Sequence, residues 1–308
     1  MPTGGGTFTT QNKILPGAYI NFVALGSVPK VGARGVAALP LELDWGPENR
    51  VFALEAAEFN QVAMKVLGHD PIAAELLLIR EALKRTKTLL VYRVNSGGQK
   101  ATASVGGMTV TAAWGGTRGN DLSVAVLSNA DNAANVDVVT YLDGAAVDTQ
   151  TVAKSAGTAG LKANNYVSYG TAATLSVAVE TALTGGTNGT VNGAAHVAAL
   201  EAFEVETFQA IGYPGTDETV KALYAAYVKR LRDDEGKKIS GVLYQHSGDY
   251  MGLINVKNGV VLADGTTVTG DKAVAWVTGA TAGAEINESL TNTAYDGAVD
   301  VDLSLIHI

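Results

Sequence analysis

The sequence predicts a multidomain α+β chain in which a β-sandwich or barrel interrupts an α/β framework. Three observations predict it. Helix and strand patterns alternate before residue 96. Charge then nearly vanishes from Gly97 to Gly193, with six acidic and four basic residues in 97 positions. Helix–strand alternation returns at Asn192. The expected division is an arm over 1–24, a first α/β domain over 25–96, the β insertion over 97–193 and a second α/β domain over 194–302.

The elements follow in order. Residues 1–13 are polar and Gly-rich (Gly4-Gly5-Gly6) and read as a flexible arm with a short extended piece at Phe8. Leu15-Pro16-Gly17 is a turn, followed by a strand in which Tyr19, Asn21 and Val23 alternate with Ile20 and Phe22. Gly35–Leu43 reads as a buried strand interrupted by Pro40. Glu55–Leu67 has helical spacing through Phe59, Ala63, Met64 and Leu67. Asp70-Pro71 predicts an N-cap and first helical residue, with Ile72, Leu76, Ile79, Ala82 and Leu83 as its apolar stripe and Lys84-Arg85 at the end that favours cations. Thr88–Val94 is a strand.

In the insertion, the runs Met108–Ala112, Leu122–Val126, Val136–Tyr141 and Thr174–Val179 alternate with period two. Turn clusters at Leu142-Asp143-Gly144 and Gly185–Gly189 separate strands. After it come a helix over 194–202, a strand over 205–211 and an amphipathic helix over 216–233 with Thr216 as a possible cap. Strands at 239–244 and 252–256 and a helix at 271–281 complete the framework. Such alternation predicts a largely parallel sheet with helices packed on it. The last six residues, Leu303-Ser304-Leu305-Ile306-His307-Ile308, match the translation of a transposon-end sequencing adapter and read as a tail foreign to the fold.

Composition excludes several functions. Of the 308 residues, 47% are hydrophobic and 17% charged, so most of the chain can bury a core. No apolar run approaches the roughly 20 residues of a membrane span. Cysteine is absent, which removes disulfides, thiolate metal ligands and thiol nucleophiles. With 22 basic and 30 acidic residues the net charge is −8, and no basic cluster exceeds Lys229-Arg230-Leu231-Arg232, so nucleic acid is not an expected partner. The N-terminus lacks a secretory signal pattern.

Chemistry-bearing patterns are sparse. His69 reads as a polar loop residue before a helix, and His196 lies early in a short helix. His246-Ser247-Asp249 holds the residue types of a nucleophilic triad. A triad is assembled by the fold from separate segments, so neighbours in one loop read better as a polar turn. Gly115-Gly116-Thr117-Arg118-Gly119 has the glycines of an anion loop but no helix pattern after it, and reads as a turn or bulge. Asp131, Asp137, Asp143 and Asp148 lack calcium-loop spacing. No catalytic, cofactor or metal residue is assigned.

Five segments in order carry a resemblance. They are Gly6-Thr7-Phe8 with Lys13–Phe22, Arg34–Pro47, Gly115–Leu122, Glu201–Glu204 with Phe208, and Ala275–Gly279 with Glu288–Asn292. Together they resemble contractile phage tail sheath proteins of the compact type found in Gram-positive phages, prophages and tail-like particles. The resemblance implies a structural, non-enzymatic subunit without cofactors, located in a virion tail assembled in the host cytoplasm. Its implied partners are copies of itself in stacked rings, the inner tail-tube protein, the baseplate and the tail terminator. It also implies a subtilisin-like α/β sheath domain lacking protease residues, incomplete here because family members continue into a further C-terminal domain. An isolated strand leaves its ladder groups unpaired, so Phe8, Ile14, Leu15, Tyr19, Ile20 and Phe22 are the expected inter-subunit contacts, made by strand addition. A secreted β-rich adhesin or carbohydrate-binding module, and a hydrolase on the α/β part, are the alternatives. The missing signal peptide and nucleophile motif count against them.

Overall fold

The computed structural model describes residues 35–285 and 287–302. The expected arm, the strand with Tyr19, Ile20 and Phe22, and the 303–308 tail lie outside the described residues. The first stretch holds β1 (Val36–Leu41), β2 (Val51–Glu55), α1 (Phe59–Leu67), α2 (Leu77–Leu83) and β3 (Thr88–Arg93). β1 runs through Pro40 without a break. Its register with β3 extends from Val36 to Leu41, while its register with the strand on its other side covers Ala37 and Ala38, short of the residue that has no N–H.

The insertion contributes β4 (Thr102–Val105), β5 (Met108–Ala112), β6 (Leu122–Ser128), β7 (Asn135–Leu142), β8 (Ala145–Ala153), β9 (Val167–Tyr169) and β10 (Ala178–Ala182). They form two antiparallel sheets, β10-β6-β7-β8 and β4-β5-β9, over one apolar core, which makes the insertion a sandwich. Strand alternation is visible in β6, where Leu122, Val124 and Val126 all belong to that core. The β7–β8 hairpin turns at Asp143-Gly144, both with positive φ (52° and 75°), the conformation that favours Asp-Gly there.

The chain then adds α3 (Gly193–Glu204), β11 (Ala210–Tyr213), α4 (Glu218–Asp233), β12 (Ser240–Tyr244), β13 (Leu253–Val256), β14 (Gly259–Leu262), β15 (Thr267–Val268), α5 (Gly270–Gly283) and β16 (Ala298–Asp302). One six-stranded sheet results, in the order β13-β12-β11-β1-β3-β2. All its pairings are parallel except that of edge strand β2 with β3. The stretches expected as separate domains over 25–96 and 194–302 therefore share a single sheet, because β1 pairs with β11 across the insertion. β14, β15 and β16 form a small second sheet, with β16 at its edge.

Side-chain alternation divides the large sheet into two faces. Ala37, Leu39, Leu41, Leu89 and Val91 pack against α1, α2 and α5. Ala38, Leu90, Tyr92 and Ile211 pack against α3 and α4. Burial on both sides explains why β3 reads TLLVYR, a nearly continuous apolar run. Gly279 and Gly283 let α5 press on the α2 side: a Cβ would lie 2.2 Å from the Ala82 carbonyl oxygen at the first and 1.7 Å from that of Arg85 at the second.

Several expected boundaries shift. The helix of Glu55–Leu67 begins at Phe59, because β2 runs through Glu55 and a turn closed by the Glu58 amide on the Glu55 carbonyl follows it. Asp70-Pro71 makes a turn rather than a helix start: Asp70 Oδ1 accepts the Ile72 amide at 3.0 Å, and α2 begins at Leu77 after a 3₁₀ turn over Ala74–Leu76. Ile72, expected in the apolar stripe, is 80% exposed. The strand expected at 174–179 is displaced to β10, since Leu175 drops into the sandwich core and Ser176 bonds the Gly106 carbonyl. The strand expected at 205–211 begins only at Ala210: α3 runs on to Glu204, the Glu206 amide closes a turn on Phe203, and Phe208 fills the core. Asp217, rather than Thr216, caps α4, its Oδ1 accepting from Thr219 and Val220.

Candidate functional site

The sandwich joins the α/β body through a buried polar joint. Asp44-Trp45-Gly46 follows β1 and enters the sandwich. Trp45, 1% exposed, packs among Ala101, Ala112 and Leu122 although it belongs to the body's chain segment. Arg93 ends β3 and is fully buried. Its guanidinium donates to the carbonyls of Gly115 (2.8 Å) and Gly46 (3.3 Å) and to Glu48 (3.2 Å), so one side chain ties sandwich to body. Burial lowers its pKa from the ordinary arginine value, against the raising influence of Glu48 and Asp44. Asn95 holds both the amide and the carbonyl of Leu43, at 2.9 and 2.8 Å.

Glycines make this joint possible. A Cβ on Gly116 would sit 1.8 Å from the Asp44 carbonyl oxygen, and its φ of +139° is one that L residues rarely adopt. A Cβ on Gly98 would meet Thr187 O at 1.9 Å, and one on Gly189 would meet Ser96 O at 2.0 Å. The two connecting segments thus run backbone against backbone. The Gly115–Gly119 motif, expected as a turn or bulge, leads into a 3₁₀ helix over Thr117–Asp121 that sits on this neck.

A second clasp lies beside it. Arg118 Nε donates to Gly68 O at 2.7 Å, and its terminal nitrogens reach Asp143 (2.8 and 2.6 Å) and Asp121 (3.0 Å). The Arg118 hydrogen bond holds the Asp143 carboxyl below the usual range, against a smaller opposing contribution from burial. His69 is buried rather than a polar loop residue: its Nε2 donates to both Asp44 oxygens, at 2.8 and 3.0 Å. The carboxyl end of β1, where α/β sheets bind ligands, opens on a cleft holding Asp44, Asn95, Thr117 and Asn188. Asp44 is engaged by His69, Asn95 by Leu43, and Asn188 by the Thr117 amide, so these polar groups brace the joint.

The other residues considered for chemistry are dispersed. His246 donates its amide to Asn255, while Ser247 and Asp249 are exposed. His196 is buried against Tyr213 and Tyr224, its Nδ1 3.2 Å from the Tyr224 hydroxyl, and burial lowers its pKa. Asp137 accepts from Asn129 and Thr151, and Asp148 from Gln150 and Asn164. Among the described residues no group of three or more His, Asp or Glu side chains is placed to hold a metal, and no helix is long and apolar enough to cross a membrane. The expected contacts Phe8, Ile14, Leu15, Tyr19, Ile20 and Phe22 lie outside the described residues. The joint itself escaped sequence reasoning; its one signal was an arginine closing an otherwise apolar strand.

The sandwich and the two stretches of the α/β body match the parts of a known family. Sequence profiles for three of its parts match in succession. The tail sheath protein Gp18 domain III N-terminal region matches residues 34–94, the phage tail sheath protein beta-sandwich domain 96–188 and the phage tail sheath protein central domain 189–307. The chain is 40% identical to the phage-like element PBSX protein XkdK of Bacillus subtilis over 98% of its own length and 68% of that protein. The sheath tail protein of Desulfitobacterium hafniense superposes with a TM-score of 0.82 at 48% identity, covering 92% of this chain and 66% of that one. That of Listeria innocua gives 0.79 at 39% identity, covering 89% and 62%. The chain belongs to the phage tail sheath family. It spans about two thirds of the length of these relatives.

Proposed function

We propose that the chain is a subunit of a contractile sheath that stacks in rings around an inner tail tube and shortens to drive that tube through a target envelope. It acts mechanically, without catalysis, in a virion or tail-like particle. Its partners are further copies, the tube protein, the baseplate and the tail terminator. The observation that carries this reading is the joint. A subunit that transmits force must move as one piece, and buried Arg93 with the glycine-lined neck leaves the sandwich little freedom to swing.

Linkage between copies falls to the N-terminal segment. Phe8 and the Ile14–Phe22 stretch, with Leu15, Tyr19 and Ile20, add as a strand to a neighbouring subunit. β16 supports this reading, because among the described residues it pairs with β14 alone and exposes Val299 and Val301. Deleting residues 1–20 from the complete protein is expected to abolish polymerisation seen by negative-stain microscopy. Normal tubes from that deletion would overturn the assignment.

A further inference from the structure

Residues of α3 and α4 line an open cleft of about 550 Å³. Leu200, Ala226 and Tyr227 line it, Val197 (41% exposed) and Leu223 flank it, and Glu201 and Glu204 lie along its rim. Arg230 is already engaged by Glu204 and Glu235, whereas Glu201 makes no ion pair among the described residues. The Tyr227 hydroxyl is buried and has no hydrogen-bond partner among the described residues. Native structures seldom leave such a group without a partner. The cleft is thus apolar inside and acidic at its rim.

The chain carries a segment of matching chemistry. All 30 acidic residues lie after Arg34, while residues 1–34 contain Lys13, Lys30 and Arg34. Ile14-Leu15, Tyr19-Ile20 and Phe22-Val23 supply apolar side chains beside Lys13. The segment enters the body at the right end. Val36 and Gln209 exchange hydrogen bonds of 2.9 Å, and Gln209 follows the last residue of α3 by five positions. The 13 residue steps from Phe22 to Gly35 span up to about 43 Å when extended, against about 18 Å for the length of α3. A tether of this kind gives an effective concentration in the millimolar range, far above that of a second copy in dilute solution.

We propose that in the unassembled subunit residues 13–22 occupy the α3–α4 cleft of their own chain, with Lys13 beside Glu201. Assembly then draws the segment out to a neighbour, so that the cleft competes with premature polymerisation. The inference rests on the assembly reading for what displaces the segment, and its test is made on dilute subunits, apart from tube formation. Because the chain has no cysteine, engineered pairs report directly. Val197→Cys is combined in turn with Ile14→Cys, Tyr19→Cys, Ile20→Cys and Phe22→Cys, and treated with a short bismaleimide. At least one pair is expected to give an intrachain adduct, read by mass spectrometry at monomer mass, at five or more times the yield obtained with Ile72→Cys in place of Val197→Cys. Glu201→Lys is expected to lower that yield at least threefold, and adding Lys13→Glu to restore it. Yields no higher than the Ile72→Cys control, adducts joining two chains, or a yield indifferent to Glu201→Lys would each overturn the proposal.

Discussion

Replacing Arg93 by Met should loosen the joint more than any surface change can. The new side chain fills the stem volume of the old but leaves the Gly115 and Gly46 carbonyls without their buried donor. Hydrogen bonds to a charged group contribute about 1.5–3 kcal/mol each, and an orphaned buried acceptor costs about 1–3 kcal/mol. The desolvation that already depresses the Arg93 pKa is relieved by the substitution and offsets part of this. The net loss is expected at about 3 kcal/mol. Glu48→Gln should cost under about 1 kcal/mol, because its carboxylate reaches solvent while the two carbonyls keep their donor. Guanidinium unfolding followed by fluorescence in a Trp276→Phe background, which leaves Trp45 and Trp114, reads the sandwich, and hydrogen exchange at Gly46 and Gly116 reads the joint. A loss below about 1 kcal/mol for Arg93→Met, or a loss as large for Glu48→Gln, would refute the view that the carbonyl contacts hold the two bodies together.

Further predictions concern packing and pH. Gly116→Ala should destabilise by more than about 3 kcal/mol, since it combines strain at positive φ with a close approach to Asp44. Gly97→Ala, whose φ is +83° with open space around it, should cost only about 1 kcal/mol by the same unfolding assay. Gly279→Ala should lower the melting temperature by forcing α5 from α2, which calorimetry checks. Burial depresses the His196 pKa, so the unfolded chain takes up the proton first. Stability should therefore fall as pH drops below about 6.5, and His196→Gln should flatten the dependence of the denaturation midpoint between pH 7.5 and 5.5. The Asp143 carboxyl is likewise depressed, by Arg118. Its contribution is present above the unfolded value of about 3.9 and is lost below it, so proteolytic sensitivity near Gly68 should rise at such pH and less so in Asp143→Asn.

Local pattern revealed the elements that local physics decides. β6 and β7 carry their period in the sequence, β3 its continuous apolar run, and α4 shows both its apolar face and its acidic start. Errors arose where tertiary contacts outvoted those signals. Asp70-Pro71 has the residues of a helix start, but Arg80 bonds the carbonyls of Pro71 and Ala73 and holds that stretch as a turn. Val205–Phe208 is apolar enough for a strand, yet Phe208 is needed by the core beneath α3. That the two α/β stretches form one sheet depends on β1 meeting β11 across a sequence separation of more than 170 residues, and no local window carries it. The joint was hidden for the same reason: Trp45, Arg93 and Gly116 acquire their roles only from each other.

The central claim is that this chain builds a sheath, and microscopy of the complete protein tests it most directly. Purified protein in negative stain should form long hollow tubes of stacked rings. A population that stays as discrete particles across protein and salt concentrations, with a folded joint by hydrogen exchange, would contradict it.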